Sequence, residues 1–176
     1  MGWSAVLRRF AVPRFVATLY YLLRYGALVS PRAEVEISRQ LRLGRKSAVG
    51  SFTKIKATDG PLLIGARVDI ATGCFIASHV HGIEIGDDSL IGPNVSIVGN
   101  AYRYDRLDMT FREQGKVSHK GIRIGRNVLI GAGACILDGA EIGSGVIVAP
   151  NAVVSSRIPD NAIVQGDPGR VVFQRR

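Results

Sequence analysis

Large aliphatic residues recur at a spacing of six along most of the chain: Ile64, Ile70, Ile76; Ile85, Ile91, Ile97; then Ile124, Ile130, Ile136, Ile142, Val148, Val154. The residue after each is usually small, as in Gly65, Ala71, Ala77, Gly86, Gly92, Gly125, Gly131 and Ala149. Four places after each comes a second, mostly apolar position: Val68, Cys74, Val80, Ser89, Val95, Ala101, Val128, Ala134, Ala140, Val146, Ala152, Ile158. No helix has a period of six. A short strand plus a corner does, and three such units close a triangular coil of about 18 residues. Each aliphatic and the residue four after it should point inward and stack on their equivalents about 4.8 Å away in the next coil. Small residues suit the corners, where the backbone bends sharply. The pattern predicts a prism of roughly six coils over residues 41–158.

The phase breaks twice. From Ile76 to Ile85 the step is nine, so Gly82, Ile83 and Glu84 are extra; between Ile97 and Ile124 the chain leaves the prism over residues 99–121. Counting faces puts the hexad at Ile97 back over the hexad at Ile76, so His79 is expected beneath Asn100 and His81 beneath Tyr102. Both interruptions then emerge at one corner. A long loop in a compact domain is usually functional, and the three histidines of the chain, His79, His81 and His119, all belong to this region. With Val80 taken as the inward residue, His79 and His81 should both face outward. Taken singly, each could be an ordinary surface histidine; their convergence is what points to chemistry. Asp105, Asp108 or Glu113 on the loop would be available to orient a ring.

The runs IGDDSLIGPNVSI (85–97) and IGRNVLIGAGACILDGAEIGSGVIVAPNAVV (124–154), closed by IPDNAIVQGDPGRVV (158–172), resemble the hexapeptide-repeat acyltransferases over about three quarters of the chain. The REQG run (Arg112–Gly115) is similar to the branch that O-acetylates polysaccharides. The resemblance implies an all-β left-handed parallel β-helix, a homotrimer and acetyl-coenzyme A as co-substrate, with no metal. It implies direct transfer of an acyl group to a hydroxyl or amine of a saccharide, nucleotide sugar or lipid-linked glycan precursor, a histidine acting as general base. Ser78-His79-Val80-His81-Gly82-Ile83 is similar to the Asp-His-Ala-Thr-Gly-Ile stretch of serine acetyltransferases, with His79 on the catalytic position, His81 close by and His119 on a second histidine. The family's coenzyme contacts fall on Gly131 and Ala149 (backbone), on Ser155 and Ser156 with Arg157 as a replacement cation, and on Arg170 for phosphate. Tyr102 stands where the polysaccharide branch carries its catalytic histidine, and a phenol is a poor base at neutral pH. Two alternatives therefore stay open: a non-catalytic scaffold, and a γ-carbonic-anhydrase-like zinc site on the three histidines.

Charge changes the picture at one end. Of the net +9, residues 1–46 carry +7, nine basic side chains against two acids, and the remainder is nearly neutral. A nucleic-acid-binding body is thereby disfavoured. Residues 1–40 read as a basic, amphipathic helical arm, residues 41–172 as the β-helix and residues 173–176 as a basic tail. The apolar run between Arg14 and Arg24 is nine residues, too short for a bilayer span, and the arm has no signal-peptide cleavage pattern. Its aromatic residues mixed with arginines suit an anionic leaflet, or a helix that covers the open end of the prism. Two cysteines, Cys74 and Cys135, suggest reduced thiols and a cytoplasmic chain, with a peripheral membrane position as the variant.

Overall fold

The hexad aliphatics stack into three parallel sheets that form the sides of a prism. The structure is a computed structural model describing residues 14–57 and 59–174. The first face comprises Leu28–Val29, Ala48–Val49, Asp69–Ile70, Leu90–Ile91, Leu129–Ile130, Ile147–Val148 and Ala162–Gln165. The second is built from Glu34–Val35, Lys54–Lys56, Phe75–Ala77, Ser96–Val98, Cys135–Leu137 and Val153–Val154. The third holds Leu41–Leu43, Leu62–Ile64, Ile83–Ile85, Ile122–Ile124, Glu141–Ile142 and Arg157–Ile158. Pairing within these faces is parallel until Arg170–Gln174 folds back antiparallel on Ala162–Gln165 and closes the C-terminal end.

The register is the one the repeat predicts. Ile76 lies between Ile55 and Ile97, Ile97 beneath Ile136, and Ile136 beneath Val154. On the first face Val49, Ile70, Ile91, Ile130, Val148 and Val164 form a matching column. These side chains are buried, and each fully buried aliphatic contributes about 1.5–3 kcal/mol. Ser47, Thr53 and Ser89 occupy inward positions without cost in unpaired polarity. Each hydroxyl donates to a carbonyl of the next coil (Gly65, Ala71, Gly125) and accepts from that coil's N–H at Val68, Cys74 or Val128.

The described residues form six coils, and strand pairing among them starts at Leu28, ahead of the residue 41 where the repeat becomes legible. Coil length also differs from the 18 expected. From Ile55 to Ile76 and from Ile76 to Ile97 the chain takes 21 residues; only from Ile136 to Val154 does it take 18. The surplus sits entirely at one corner, described below.

Helix α1 (Arg14–Tyr25) lies across the first coil. Tyr21 is fully buried in the core with Ala27, Val29, Val35 and Leu41, and its hydroxyl donates to the Glu36 carbonyl at 2.6 Å. Burial pushes the Tyr21 phenol well above its ordinary range, helped by Tyr20, Tyr25 and Glu36. The helix therefore covers the end of the prism, one of the two roles expected of the arm. Trp3 and Phe10 of that arm lie outside the described residues. Among the described residues no helix is long and apolar enough to cross a membrane.

Candidate active site

The corner between the second and third faces carries every irregularity of the prism. The first-to-second step is six residues in each coil (Ile70 to Ile76, Ile91 to Ile97, Ile130 to Ile136), as is the third-to-first step. The second-to-third step is nine from Ile55 to Ile64 and from Ile76 to Ile85, and 27 from Ile97 to Ile124. The insertion at Ile76 thus has a copy one coil below, around Ala57–Pro61, flanked by Lys54 and Lys56 and hidden from the hydropathy pattern.

The extra residues change which side chain turns inward. Val80 does not occupy the core: it is 60% exposed, whereas Ser78 is buried. At regular corners the residue four after the aliphatic closes the turn, as Cys74 and Val95 do. At the widened corner the residue two after takes that place, so Ala57 and Ser78 are buried and Ala101 is exposed. Ser78 Oγ is satisfied by the Gly60 carbonyl at 2.6 Å. The expectation that Val80 points inward is corrected accordingly, and the two histidines beside it end in different environments.

His79 is half-buried, its Nδ1 shielded from solvent with no hydrogen-bond partner among the described residues. His81 is exposed, and its Nδ1 lies 3.3 Å from Ser118 Oγ. The residue stacked on His81 is not Tyr102. Rung-on-rung pairing ends where Gly99 N–H donates to the Ala77 carbonyl at 3.0 Å; it resumes where Ile122 N–H reaches the Gly82 carbonyl at 3.1 Å. Between them Ala101–Tyr102 pairs antiparallel with Lys116–Val117, which lifts Tyr102 off the prism and leaves it exposed. Gly121 therefore sits over His81. It has φ +75°, and a Cβ there would lie 2.7 Å from the His81 carbonyl oxygen, so glycine is required for the loop to return this closely.

The loop is ordered by its own groups. Thr110 caps helix α2 (Phe111–Gln114) in a reciprocal capping box with Glu113, whose carboxyl is held below its usual range by the Thr110 N–H and hydroxyl. Asp108 pairs with Arg106, and Gln114 braces Arg106 through both its N–H and its carbonyl. Lys116 reaches Asp59 on the insertion below at 3.7 Å. Asp108 and Glu113 are thus committed inside the loop.

The carboxylate that does reach the histidines is Asp138, which sequence reasoning missed. Its Oδ1 accepts from Gly121 N–H at 2.7 Å, from Lys120 N–H at 3.4 Å and from Ser118 Oγ at 3.2 Å, and Oδ2 accepts from His119 N–H. Burial opposes ionisation of Asp138, but the N–H groups of His119, Gly121 and Lys120 with the Ser118 hydroxyl outweigh it and hold the carboxyl below the ordinary range. Ser118, also missed, is buried between Asp138 and His81. Carrying the face count one coil further would have found Asp138, since Ile136 stacks on Ile97 and its corner must face the loop's return.

Above this carboxylate an open cleft of about 440 Å³ is lined by His119, Lys120, Asp138, Gly139, Glu141, Ser155, Ser156 and Arg157. His119 and the serine pair expected to meet a coenzyme thus share one hollow, with Arg157 beside them. Gly131 and Ala149 lie elsewhere in the chain, stacked at the first-to-second corner, where Gly131 N–H donates to the Val148 carbonyl at 2.8 Å. Arg170 is exposed at the start of the closing strand, opposite Gln165. Among the described residues no three His, Cys, Asp or Glu side chains converge as metal ligands would.

Comparison with known proteins agrees with this architecture. Residues 121–156 match the family described as bacterial transferase hexapeptide (six repeats). The chain is 40% identical over 123 residues to a serine acetyltransferase of Staphylococcus aureus, covering 70% of this chain and 51% of that one. The chain belongs to the hexapeptide-repeat acyltransferase superfamily. A Mycobacterium tuberculosis relative named "Probable acetyltransferase Rv3034c" is 29% identical over 174 residues, covering 99% of this chain and 56% of the relative. The chain thus spans about half the length of these curated relatives. The N-acyltransferase AntD of Bacillus cereus, solved with dTDP and 3-hydroxybutyryl-CoA, superposes with a TM-score of 0.73 at 20% identity, over 86% of this chain and 81% of that one. A variant of AntD was solved with dTDP-4-amino-4,6-dideoxyglucose and coenzyme A. The likeness fixes the fold of this superfamily member as the left-handed parallel β-helix.

Proposed function

We propose that this protein transfers an acyl group, most simply acetyl, from an acyl-coenzyme A to a hydroxyl or amine of a saccharide-type acceptor, with nucleotide sugars and lipid-linked glycan precursors as the acceptor classes. The observation that carries the reading is the cleft at the second-to-third corner, which gathers His119, Ser155, Ser156 and Arg157 and is joined to His81 through Asp138 and Ser118. The coenzyme complexes of AntD and the serine acetyltransferase relative support the donor and the reaction class; the dTDP-sugar complex supports the acceptor class.

In this reading His81 is the base, in preference to His79. A base needs one ring nitrogen held and the other open. His81 has Nδ1 against Ser118 Oγ on an exposed side chain, whereas Nδ1 of His79 is buried with no partner among the described residues. His81 Nε2 takes the proton of the acceptor O–H or N–H as its lone pair attacks the thioester carbonyl. The tetrahedral intermediate expels the thiolate, which recovers that proton from the imidazolium and leaves as free coenzyme A. Lys120 and Arg157 supply positive charge for phosphate groups at the cleft, and the backbone of Gly131 and Ala149 with Arg170 would serve a donor lying along a neighbouring prism.

A homotrimer belongs to the same proposal. Leu90 and Leu129 are exposed neighbours on the outer side of the first face, separated from the exposed Leu28 by Ala48 and Asp69, while the third face presents Arg42, Leu63, Glu84, Arg123, Glu141 and Arg157; the Leu90–Leu129 pair supports a contact between copies there. Helix α1 exposes Phe15, Leu19, Leu22 and Leu23, which supports contact with an anionic leaflet, testable by liposome co-sedimentation. The deciding experiment for the reaction is thiol release from acetyl-coenzyme A across a panel of amino-sugar nucleotides, sugars, serine and lipid-linked acceptors. Acceptor-dependent release supports the proposal; coenzyme binding with no release for any acceptor sinks it.

A further inference from the structure

We infer that Ser118 and Asp138 act as positioning residues that fix the tautomer of His81, placing its proton on Nδ1 and leaving Nε2 as the open lone pair. The inference rests on the acyl-transfer reading for its catalytic consequence, but not for its structural content.

The available hydrogens decide the tautomer. A hydroxyl owns one proton, and Ser118 Oγ stands 3.2 Å from Asp138 Oδ1 and 3.3 Å from His81 Nδ1. An ionised carboxylate can only accept. The bond to that charged acceptor is about twice as strong as one to a neutral nitrogen, so the Ser118 proton goes to Asp138. Ser118 Oγ is then left with lone pairs facing His81, and only a protonated Nδ1 can use them. The tautomer follows, since the partner at one ring nitrogen sets the state of the other.

Asp138 is itself pinned. Three backbone N–H groups of the loop return, at His119, Lys120 and Gly121, converge on its two oxygens. The close approach of Gly121 to the His81 and Gly82 carbonyls fixes that return relative to His81. The 21-residue excursion and the corner insertion one coil below are thereby locked together through a residue two coils up from His81. When His81 takes a proton from the acceptor, the Ser118 dipole and the Asp138 charge behind it stabilise the imidazolium. This order, histidine to hydroxyl to carboxylate, keeps the serine as a link and not as a nucleophile: its proton is committed and its oxygen is buried.

The test uses the full chain labelled with 15N, at alkaline pH where imidazoles are neutral. Three histidines make assignment direct. Wild type should show His81 with a protonated Nδ1 and an unprotonated Nε2. Ser118→Ala should lose that signature and lower kcat roughly tenfold, below the ~10²–10⁴ a base itself supplies, with KM for acetyl-coenzyme A unchanged. Ser118→Thr keeps the hydroxyl and should restore both. Asp138→Asn removes the charged acceptor, frees the Ser118 proton for His81, and should shift His81 towards the Nε2–H form. A wild-type His81 protonated on Nε2, or a tautomer indifferent to both Ser118→Ala and Asp138→Asn, would overturn the inference. Should wild type release no thiol with any acceptor, the acyl-transfer reading fails alone, because the nitrogen signals still decide the tautomer.

Discussion

Two kinds of corner coexist in this prism. Those leading into the first and second faces repeat every six residues without exception from Val49 onward, and the columns Ile70–Ile91–Ile130 and Ile76–Ile97–Ile136 run through them undisturbed. The corner leading into the third face is nine, nine and then 27 residues long across successive coils, and it holds all three histidines, Asp138 and the cleft. The fold divides its labour between them. A parallel stack with satisfied rungs on both sides tolerates an insertion wherever the chain re-enters in register, because loop length adds little closure entropy. Chemistry can therefore be concentrated at one edge while the other two carry the stability.

That division predicts separable effects. The largest should come from cutting the loop of residues 100–120 back to the length of the Ser78–Gly82 turn. Acceptor-dependent thiol release should fall by ~10²–10⁴, while thermal unfolding moves little, since Ser118 is the loop's buried polar anchor and its tip residues Tyr104, Leu107 and Phe111 are exposed. A collapse of the melting transition would show that the irregular corner also holds the fold.

The reverse test lies on a regular column. Ile130→Ala deletes a fully buried side chain between Ile91 and Val148 and should cost about 2–5 kcal/mol in denaturant unfolding, with KM for the donor unchanged. A smaller cost is expected at the third-to-first corner. A Cβ on Gly44 would run into the backbone carbonyl of Gly65 in the coil above, which cannot swing aside, so Gly44→Ala should destabilise by about 1–3 kcal/mol.

The mildest effect concerns pH. Asp138 has a folded-state pKa below its unfolded value, so its contribution is complete above the ordinary carboxylate pKa of about 3.9 and is lost as pH falls through the lower, folded value. Hydrogen exchange at the His119, Lys120 and Gly121 amides should therefore accelerate in acid before that of the Ile97 and Ile136 rungs. Simultaneous loss of protection would deny the corner its separate stability.

How much of this was legible in the sequence follows the same line. The hexad period marks the regular corners because Ile, Val and Ala recur there at fixed offsets, and it delivered the prism, the stacking of Ile97 on Ile76 and the common edge of the three histidines. It failed where the period fails. Val29, Val35 and Leu43 are spaced six and eight residues apart among charged neighbours, so the period alone assigns the first coil to the arm. The offset that points Val80 inward holds only at a six-residue corner. Ser118 and Asp138, twenty residues apart across a coil, are brought together by the return path of a loop whose sequence has no period to follow. Tyr102 stands where the resemblance places a histidine, yet the loop's own strand pair carries it away from His81.

The proposed reaction depends on proton transfer at the irregular corner through His81. Its most direct test is the turnover of His81→Ala in acceptor-dependent thiol release, measured beside its melting temperature. The expected result is a loss of ~10²–10⁴ in kcat with the melting temperature of wild type, as befits an exposed side chain. Undiminished turnover in this variant would contradict it.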